Sequence, residues 1–173
     1  MIEIYTDGAC SGNPGSGGFG VAVYKDGELI KTISKRTEDT TNNREELKAI
    51  ITALELIPSF SPIENFTDIK NYFIVEQIRI YSDSSYCVNI CNDWIYTWES
   101  NNWTRAKGKP IENLDLIKNL YKHLIKDYKS FIVFIEKIPG HSGIEGNEMA
   151  DKLARGLIKP DVEELSLRAA PRK

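Results

Sequence analysis

The sequence predicts an α/β fold, a mixed five-stranded sheet with helices on both faces. Three observations carry that expectation. Residues 2–36 read as three strands, the last two joined at Asp26-Gly27, a dipeptide suited to the positive φ angles of a two-residue hairpin turn. Beyond them, helical and strand-like runs alternate to residue 156, as in a sheet covered by helices. The chain has 173 residues, 41% of them hydrophobic, enough for one well-formed core and short of two.

Residues 2–8, IEIYTDG, alternate apolar and polar side chains up to Asp7, the pattern of a half-buried strand. Residues 9–17 hold Gly, Ser, Asn and Pro and are expected to form a loop. Residues 18–25 and 28–36 supply the hairpin. From 43 to 57 the period becomes helical, with Leu47, Ile50, Ile51, Leu54 and Ile57 on one stripe. Asn42 with Glu45 three residues on resembles a capping box, and Pro58 ends the helix. Residues 58–76 lack a period and read as a long connection, anchored in part by Ile69, Tyr72, Phe73 and Ile74. Residues 77–82 form a strand running up to Asp83, 84–98 a helix, and 99–113 an irregular polar segment. An amphipathic helix follows over 114–128, with Ile117, Leu120, Tyr121, Leu124, Ile125 and Tyr128 inward. FIVFIEKI at 131–138 is almost continuously apolar and is expected to be a strand buried on both faces. After a glycine-bearing loop at 140–146, residues 147–156 make the last helix, with Met149, Ala150, Leu153 and Ala154 inward. Residues 1–157 are thus read as the domain and 158–173 as a flexible tail.

The net charge is −3 and 27% of residues are charged, so any nucleic-acid partner must be read from local motifs rather than bulk charge. Cys10, Cys87 and Cys91 form no disulfide framework, which points to a reducing, intracellular setting. Cys87 and Cys91 share a helix spacing but have no second Cys/His pair to complete a zinc site. No run approaches the roughly 20 apolar residues of a membrane helix, and no charged leader precedes Ile2, so neither a membrane nor a secretory route is expected. A monomer is expected.

Four acids lie at element ends or flanks: Asp7 and Asp83 close strands, Glu46 flanks the stripe of its helix, and Asp151 lies early in the last helix. In an open α/β sheet ligands collect outside the ends of central strands. If the first and fourth strands are parallel neighbours, Asp7 and Asp83 emerge at one edge. Oxygen-only ligands favour Mg²⁺ or Mn²⁺, and two such ions can clamp the attacking and leaving oxygens of a phosphoryl displacement. Taken singly, each acid is equally a solvated cap.

TDGACSGNPGSGGFG (6–20), TTNNREELKAI (40–50), YSDSSY (81–86) and PGHSGIEGNEMADKLAR (139–155) resemble, in order, the four signature blocks of the ribonuclease H family. The resemblance covers residues 2 to about 157. It implies hydrolysis of the RNA strand of RNA/DNA hybrids with two Mg²⁺ ions, Mn²⁺ being a possible substitute, leaving 5′-phosphate and 3′-hydroxyl ends. Asp7, Glu46, Asp83 and Asp151 then hold metal and act in catalysis, with Glu45 left to cap its helix. His141 resembles the family's mobile-loop histidine, active in proton transfer or product departure; a loop histidine bonded to a carbonyl is the plainer alternative. Glu148 resembles an acid that tunes metal occupancy. His123 is expected to be merely solvated.

The resemblance extends to substrate contacts. Asn13, Asn42 and Asn43, with Ser85, would read the minor groove and the 2′-hydroxyl, which distinguishes RNA from DNA. The glycines of the 15–20 run would let backbone approach the sugar-phosphate groove; they are no dinucleotide fingerprint, since they open a strand. Thr41 and Asn113 match phosphate-binding positions. Trp94, Trp98 and Trp103, among Arg105, Lys107, Lys109 and Lys118, resemble a basic protrusion over 94–113 that holds the DNA strand. Trp94 and Trp98, four apart, could equally pack a helix, and each Asn could be a turn former or cap. The chain departs from the family in its long 58–76 insertion, in a weakly basic protrusion, and in Asp39 beside the phosphate positions. No hybrid-binding module precedes Ile2, which predicts low processivity. The competing functions are a non-catalytic hybrid-binding module and a DNA nuclease or transferase on the same fold.

Overall fold

Parallel and antiparallel pairing meet on the first strand. The computed structural model describes residues 1–60, 76–126, 128 and 131–160. Strands β1 (Ile2–Ser11), β2 (Gly15–Lys25) and β3 (Glu28–Thr40) form an antiparallel meander; β4 (Glu76–Ser82) and β5 (Phe131–Lys137) add in parallel on the far side of β1. The order across the sheet is β3-β2-β1-β4-β5. This is the mixed five-stranded sheet expected from the sequence.

Helix α1 (Asn42–Leu56) packs on one face, over β1 and β2. Its buried Leu47, Ile50, Ile51 and Leu54 meet Ile2, Ile4, Val21, Val23, Ile78 and Ile80 in the main core. Each fully buried Ile or Leu contributes roughly 2 kcal/mol of transfer free energy. Next come α2 (Ser85–Asn89), a π-helical turn (Ile90–Trp94) and α3 (Ile95–Ser100), one continuous helical path, then α4 (Leu114–Leu124) against α1. On the opposite face α5 (Glu145–Ala154) covers β1, β2 and β3, and Leu153 closes a smaller cluster with Ala22 and Tyr24. Helices therefore lie on both faces. Among the described residues no helix is long and apolar enough to cross a membrane.

Several details differ from the sequence reading. β1 runs through Ser11 and β2 starts at Gly15, so the 9–17 loop shrinks to a three-residue turn. The glycines there mostly admit other protein: a Cβ on Gly20 would collide with the backbone of α5 at Ala150, and one on Gly17 with the carbonyl of Ala9. The N-cap of α1 is Thr41, whose hydroxyl accepts from the Arg44 amide, rather than Asn42. Glu45 makes no cap; it is fully buried, accepting from the Thr40 hydroxyl at 2.6 Å and pairing with Lys48. Helix α4 stops at Leu124 because Ile125 turns out of helix (ψ −2°), which leaves Ile125 59% exposed instead of inward. β5 is an edge strand covered on one face only, so Ile132 and Phe134 are exposed and the expectation of burial on both faces fails. His123 is half-buried, 3.6 Å from Glu55, not simply solvated. Cys87 and Cys91 are core residues whose thiols burial pushes upward, Cys91 to about 12. Most of the 58–76 insertion and the tail from 161 lie outside the described residues.

Candidate active site

The register between β1 and β4 creates the site. Thr6 pairs with Ser82 across the parallel ladder, so the next residues come side by side: Asp83 just past the end of β4, and Asp7 within β1, which runs on to Ser11 instead of closing at Asp7. The Thr6 hydroxyl donates to the Tyr81 carbonyl at 2.9 Å and ties the strands together just before they deliver their acids. Helix α1 brings the third carboxylate. A Cβ on Gly8 would collide with the backbone nitrogen of Glu46, so only glycine lets the first turn of α1 sit directly over β1. One carboxylate oxygen each from Asp7, Glu46 and Asp83 lies within 4.8 Å of the others. Asp151 reaches the same open cleft, of about 470 Å³, from α5 on the other face.

Water cannot dilute this charge well, since Asp7 is 7% exposed and Glu46 4%. Burial, then the charges of Asp83 and Asp151, push the Asp7 carboxyl up to about 7, against a single opposing hydrogen bond from the Gly8 amide at 2.9 Å. Burial, then Asp7 and Asp83, raise Glu46 well above the usual carboxylate range. Glu46 takes a 3.5 Å contact from the Asn42 amide, while its buried Oε2 has no hydrogen-bond partner. A buried acceptor without a donor destabilises a fold unless something else satisfies it. A divalent cation would satisfy it and relieve the repulsion at once, and an all-carboxylate donor set suits Mg²⁺ or Mn²⁺ over softer metals.

The remaining expected residues separate into three groups. His141 lines the cleft from the β5–α5 loop, exposed, at φ 50°, a left-handed conformation uncommon outside glycine. Asn42 lines it too, its backbone amide donating to Asn13 Oδ1 at 3.0 Å; Asn13 is at the exposed β1–β2 turn, and Asn43 and Ser85 open their helices close by. Thr41 and Asn113 form a second group around Arg44, whose amide is received by Thr41 and whose Nη1 reaches Asn113 Oδ1 at 3.4 Å. The third group is aromatic. Trp94 and Trp98 rings are 5.9 Å apart, with Tyr86 edge-on to Trp94, while Trp103 packs edge-on against Tyr121 under Lys118. Glu148 is half-buried on α5 and does not line the cleft.

Sequence reasoning missed four contributors. Asn147, 3% exposed, offers its amide to Asp83 Oδ2 at 3.5 Å, and its own Oδ1 is buried without a partner. Arg44 links the two phosphate-type positions. Arg36 and Arg155 line the cleft beyond the acids. The spacing of Arg155, one helical turn after Asp151, was the one legible signal among them.

Fold and site together define an α/β domain with a buried carboxylate centre of the kind that holds hard divalent cations. Comparison with known proteins gives that class a family. The RNase H family model matches residues 1–159. A ribonuclease H of Syntrophomonas wolfei subsp. wolfei is 44% identical over 159 residues, covering 91% of this chain and 96% of the relative. Among solved structures, LC9-RNase H1, described as a type 1 RNase H with the type 2 active-site motif, superposes with a TM-score of 0.68 at 26% identity, over 92% of this chain and 74% of that one. A foamy viral protease-reverse transcriptase in complex with RNA/DNA hybrid shares the fold, with a TM-score of 0.69 at 23% identity over 90% of this chain and 19% of the other. The chain belongs to the RNase H family, a family of divalent-metal-dependent nucleases, and is a hydrolase of the ribonuclease H class.

Proposed function

We propose that the chain is an endonuclease that hydrolyses the RNA strand of RNA/DNA hybrids with two Mg²⁺ ions, leaving 5′-phosphate and 3′-hydroxyl ends. The observation that carries the reading is the triad of buried Asp7 and Glu46 with half-buried Asp83, mutually repelling, and holding an orphaned oxygen on Glu46. With Asp151 these would hold the ions. Divalent cations bound there supply the positive charge that an in-line displacement needs on its attacking and leaving oxygens.

The chain's own residues do the rest. Asp7 and Asp83 are fixed by adjoining strands and Glu46 by α1, so the carboxylates are in place before substrate arrives and little reorganisation remains. Asn147 steadies Asp83. His141 stands at the mouth on a loop, able to hand a proton to the departing 3′-oxygen and then swing away with product. Asn42, held by Asn13, offers polar groups to the minor groove, where a 2′-hydroxyl marks RNA; Asn43 and Ser85 flank it. Thr41 and Asn113 would receive a phosphate of the DNA strand, beside Arg44, whose guanidinium is paired with Asp115 at 2.7 and 2.9 Å. Trp94, Trp98 and Trp103 supply faces for its sugars and bases. The cleft is completed within one chain, which supports a monomer, and three free cysteines support an intracellular setting.

The test uses end-labelled RNA/DNA hybrid and all-DNA duplex, with Mg²⁺ or with EDTA, beside Asp83→Asn. Metal-dependent cleavage of the hybrid's RNA alone, lost in the variant, is expected. Hybrid bound but never cut would overturn the enzyme reading. All-DNA duplex cut at a comparable rate would overturn the substrate reading.

A further inference from the structure

The cleft is electrically lopsided. The four acids occupy one part of it, while the part toward the β1–β2 turn and the end of α5 is lined by Ser11, Ser16, Gly17, Arg36 and Arg155. Every polar side chain there can donate a hydrogen bond, and none is an acid. The two arginines are brought together by the fold. Arg36 leaves β3, crosses β2 at Gly18, where a Cβ would crowd its Nη1, and donates to the carbonyl of Ala154, the residue immediately before Arg155. Among the described residues Arg36 has no carboxylate partner. Arg155 has one, Asp151 at 3.3 Å, through a single Nη1. A guanidinium carries five donors, and both side chains are exposed where they line the cleft.

Two cations lining one part of a cleft can seat an anion there, and planar guanidinium forks match phosphate oxygens. The inference rests on the hybrid-nuclease reading. If the reacting phosphodiester lies over the acids, the same strand carries another phosphate along the cleft, toward the arginines. We propose that Arg36 and Arg155 bind the phosphate next to the scissile one on the cleaved strand, fixing which linkage reaches the acids.

The experiment measures binding of a short RNA/DNA hybrid by fluorescence anisotropy in EDTA, over a fourfold range of KCl, for wild type, Arg36→Ala, Arg155→Ala and the double variant. Each replaced arginine is expected to lower the slope of log affinity against log salt by about one. The fourfold rise in salt then weakens the double variant about tenfold less than wild type. Arg36→Lys and Arg155→Lys keep the slope, and Arg79→Ala, on β4 and paired with Glu136 outside the cleft, leaves it unmoved. A scan of single neutral methylphosphonates through each strand identifies the phosphate: a penalty beside the cut site in wild type should vanish in the double variant. An unchanged slope, or the same penalty in both proteins, would overturn the proposal and leave Arg36 as a cap on α5. Should Arg36→Ala lose its fold by circular dichroism, the exposed Arg155→Ala decides alone. Wild type that neither binds nor cuts hybrid refutes the underlying reading instead.

Discussion

Replacing Asp7 with Asn should make the metal-free protein more stable while abolishing its activity. Asp7 is buried, and its carboxyl is pushed from 3.8 to about 7, first by burial and then by Asp83 and Asp151. A carboxyl whose folded pKa is raised holds its proton more tightly in the native state. Its contribution is therefore favourable below the unfolded value and is lost as pH rises from about 4 to about 7. A shift of that size corresponds to about 4 kcal/mol. The repulsion is shared with Glu46 and Asp83, so removing one charge should recover about 2 kcal/mol at pH 8. Urea unfolding in EDTA at pH 8 would display this as a higher midpoint for Asp7→Asn with an unchanged slope. Toward pH 4 the gain should shrink, since the protonated acid and the amide are nearly isosteric and both neutral. Added Mg²⁺ should raise the wild-type midpoint by mass action and the variant's much less. A variant less stable than wild type at pH 8 in EDTA, or equally stabilised at both pH values, would refute the account of a strained carboxylate centre.

Other perturbations follow from the same geometry. Gly8→Ala should reduce cleavage by at least tenfold and lower stability by about 2 kcal/mol, because the new methyl displaces the start of α1 and with it Glu46; unfolding and kinetic measurements together check it. Lys48→Met should destabilise by about 3 kcal/mol, leaving Glu45 charged and fully buried, and Glu45→Met added to it should restore most of the loss in thermal unfolding. His141→Ala should lower kcat by about 100-fold with far less effect on hybrid affinity, measured by steady-state kinetics and anisotropy.

The sheet was legible because its signals are local. Alternation in IEIYTDG, the Asp26-Gly27 turn and the stripe from Leu47 to Ile57 each need only neighbours to be read. What escaped is what neighbours cannot report. The run FIVFIEKI has the composition of a central strand, yet its edge position depends on where four other strands lie, and Ile132 and Phe134 are left in solvent. Glu45 looked like a cap because of its spacing from Asn42, whereas the partner it found, Lys48, was one turn ahead. Acids at strand ends were visible as types, but their approach follows from the Thr6–Ser82 register, a pairing across 76 positions of sequence. Arg36 carried no motif and Arg155 only its place at the end of the fourth block; the crossing of β3 under the end of α5 brings both to one cleft.

The π-helical turn at Ile90–Trp94 has a consequence for how the aromatic surface can change. Cys87, Cys91 and Ile95 are all buried at steps of four, and the wide turn keeps them on the inner side without the drift of about 40° per step that a regular α-helix would give. It works as a phase shifter: everything after it is rotated by about one residue, or roughly 100°, relative to an uninterrupted helix. Trp94, exposed at the end of that turn, and Trp98, half-buried against the main core, form an aromatic platform beside Tyr86. A single-residue deletion within 90–94 would relax the coil to an ordinary helix and swing the platform off its bearing, with every aromatic side chain still present. The surface is thus tuned by residue count as much as by residue identity, and length variation here is a route by which related chains could re-aim the same tryptophans.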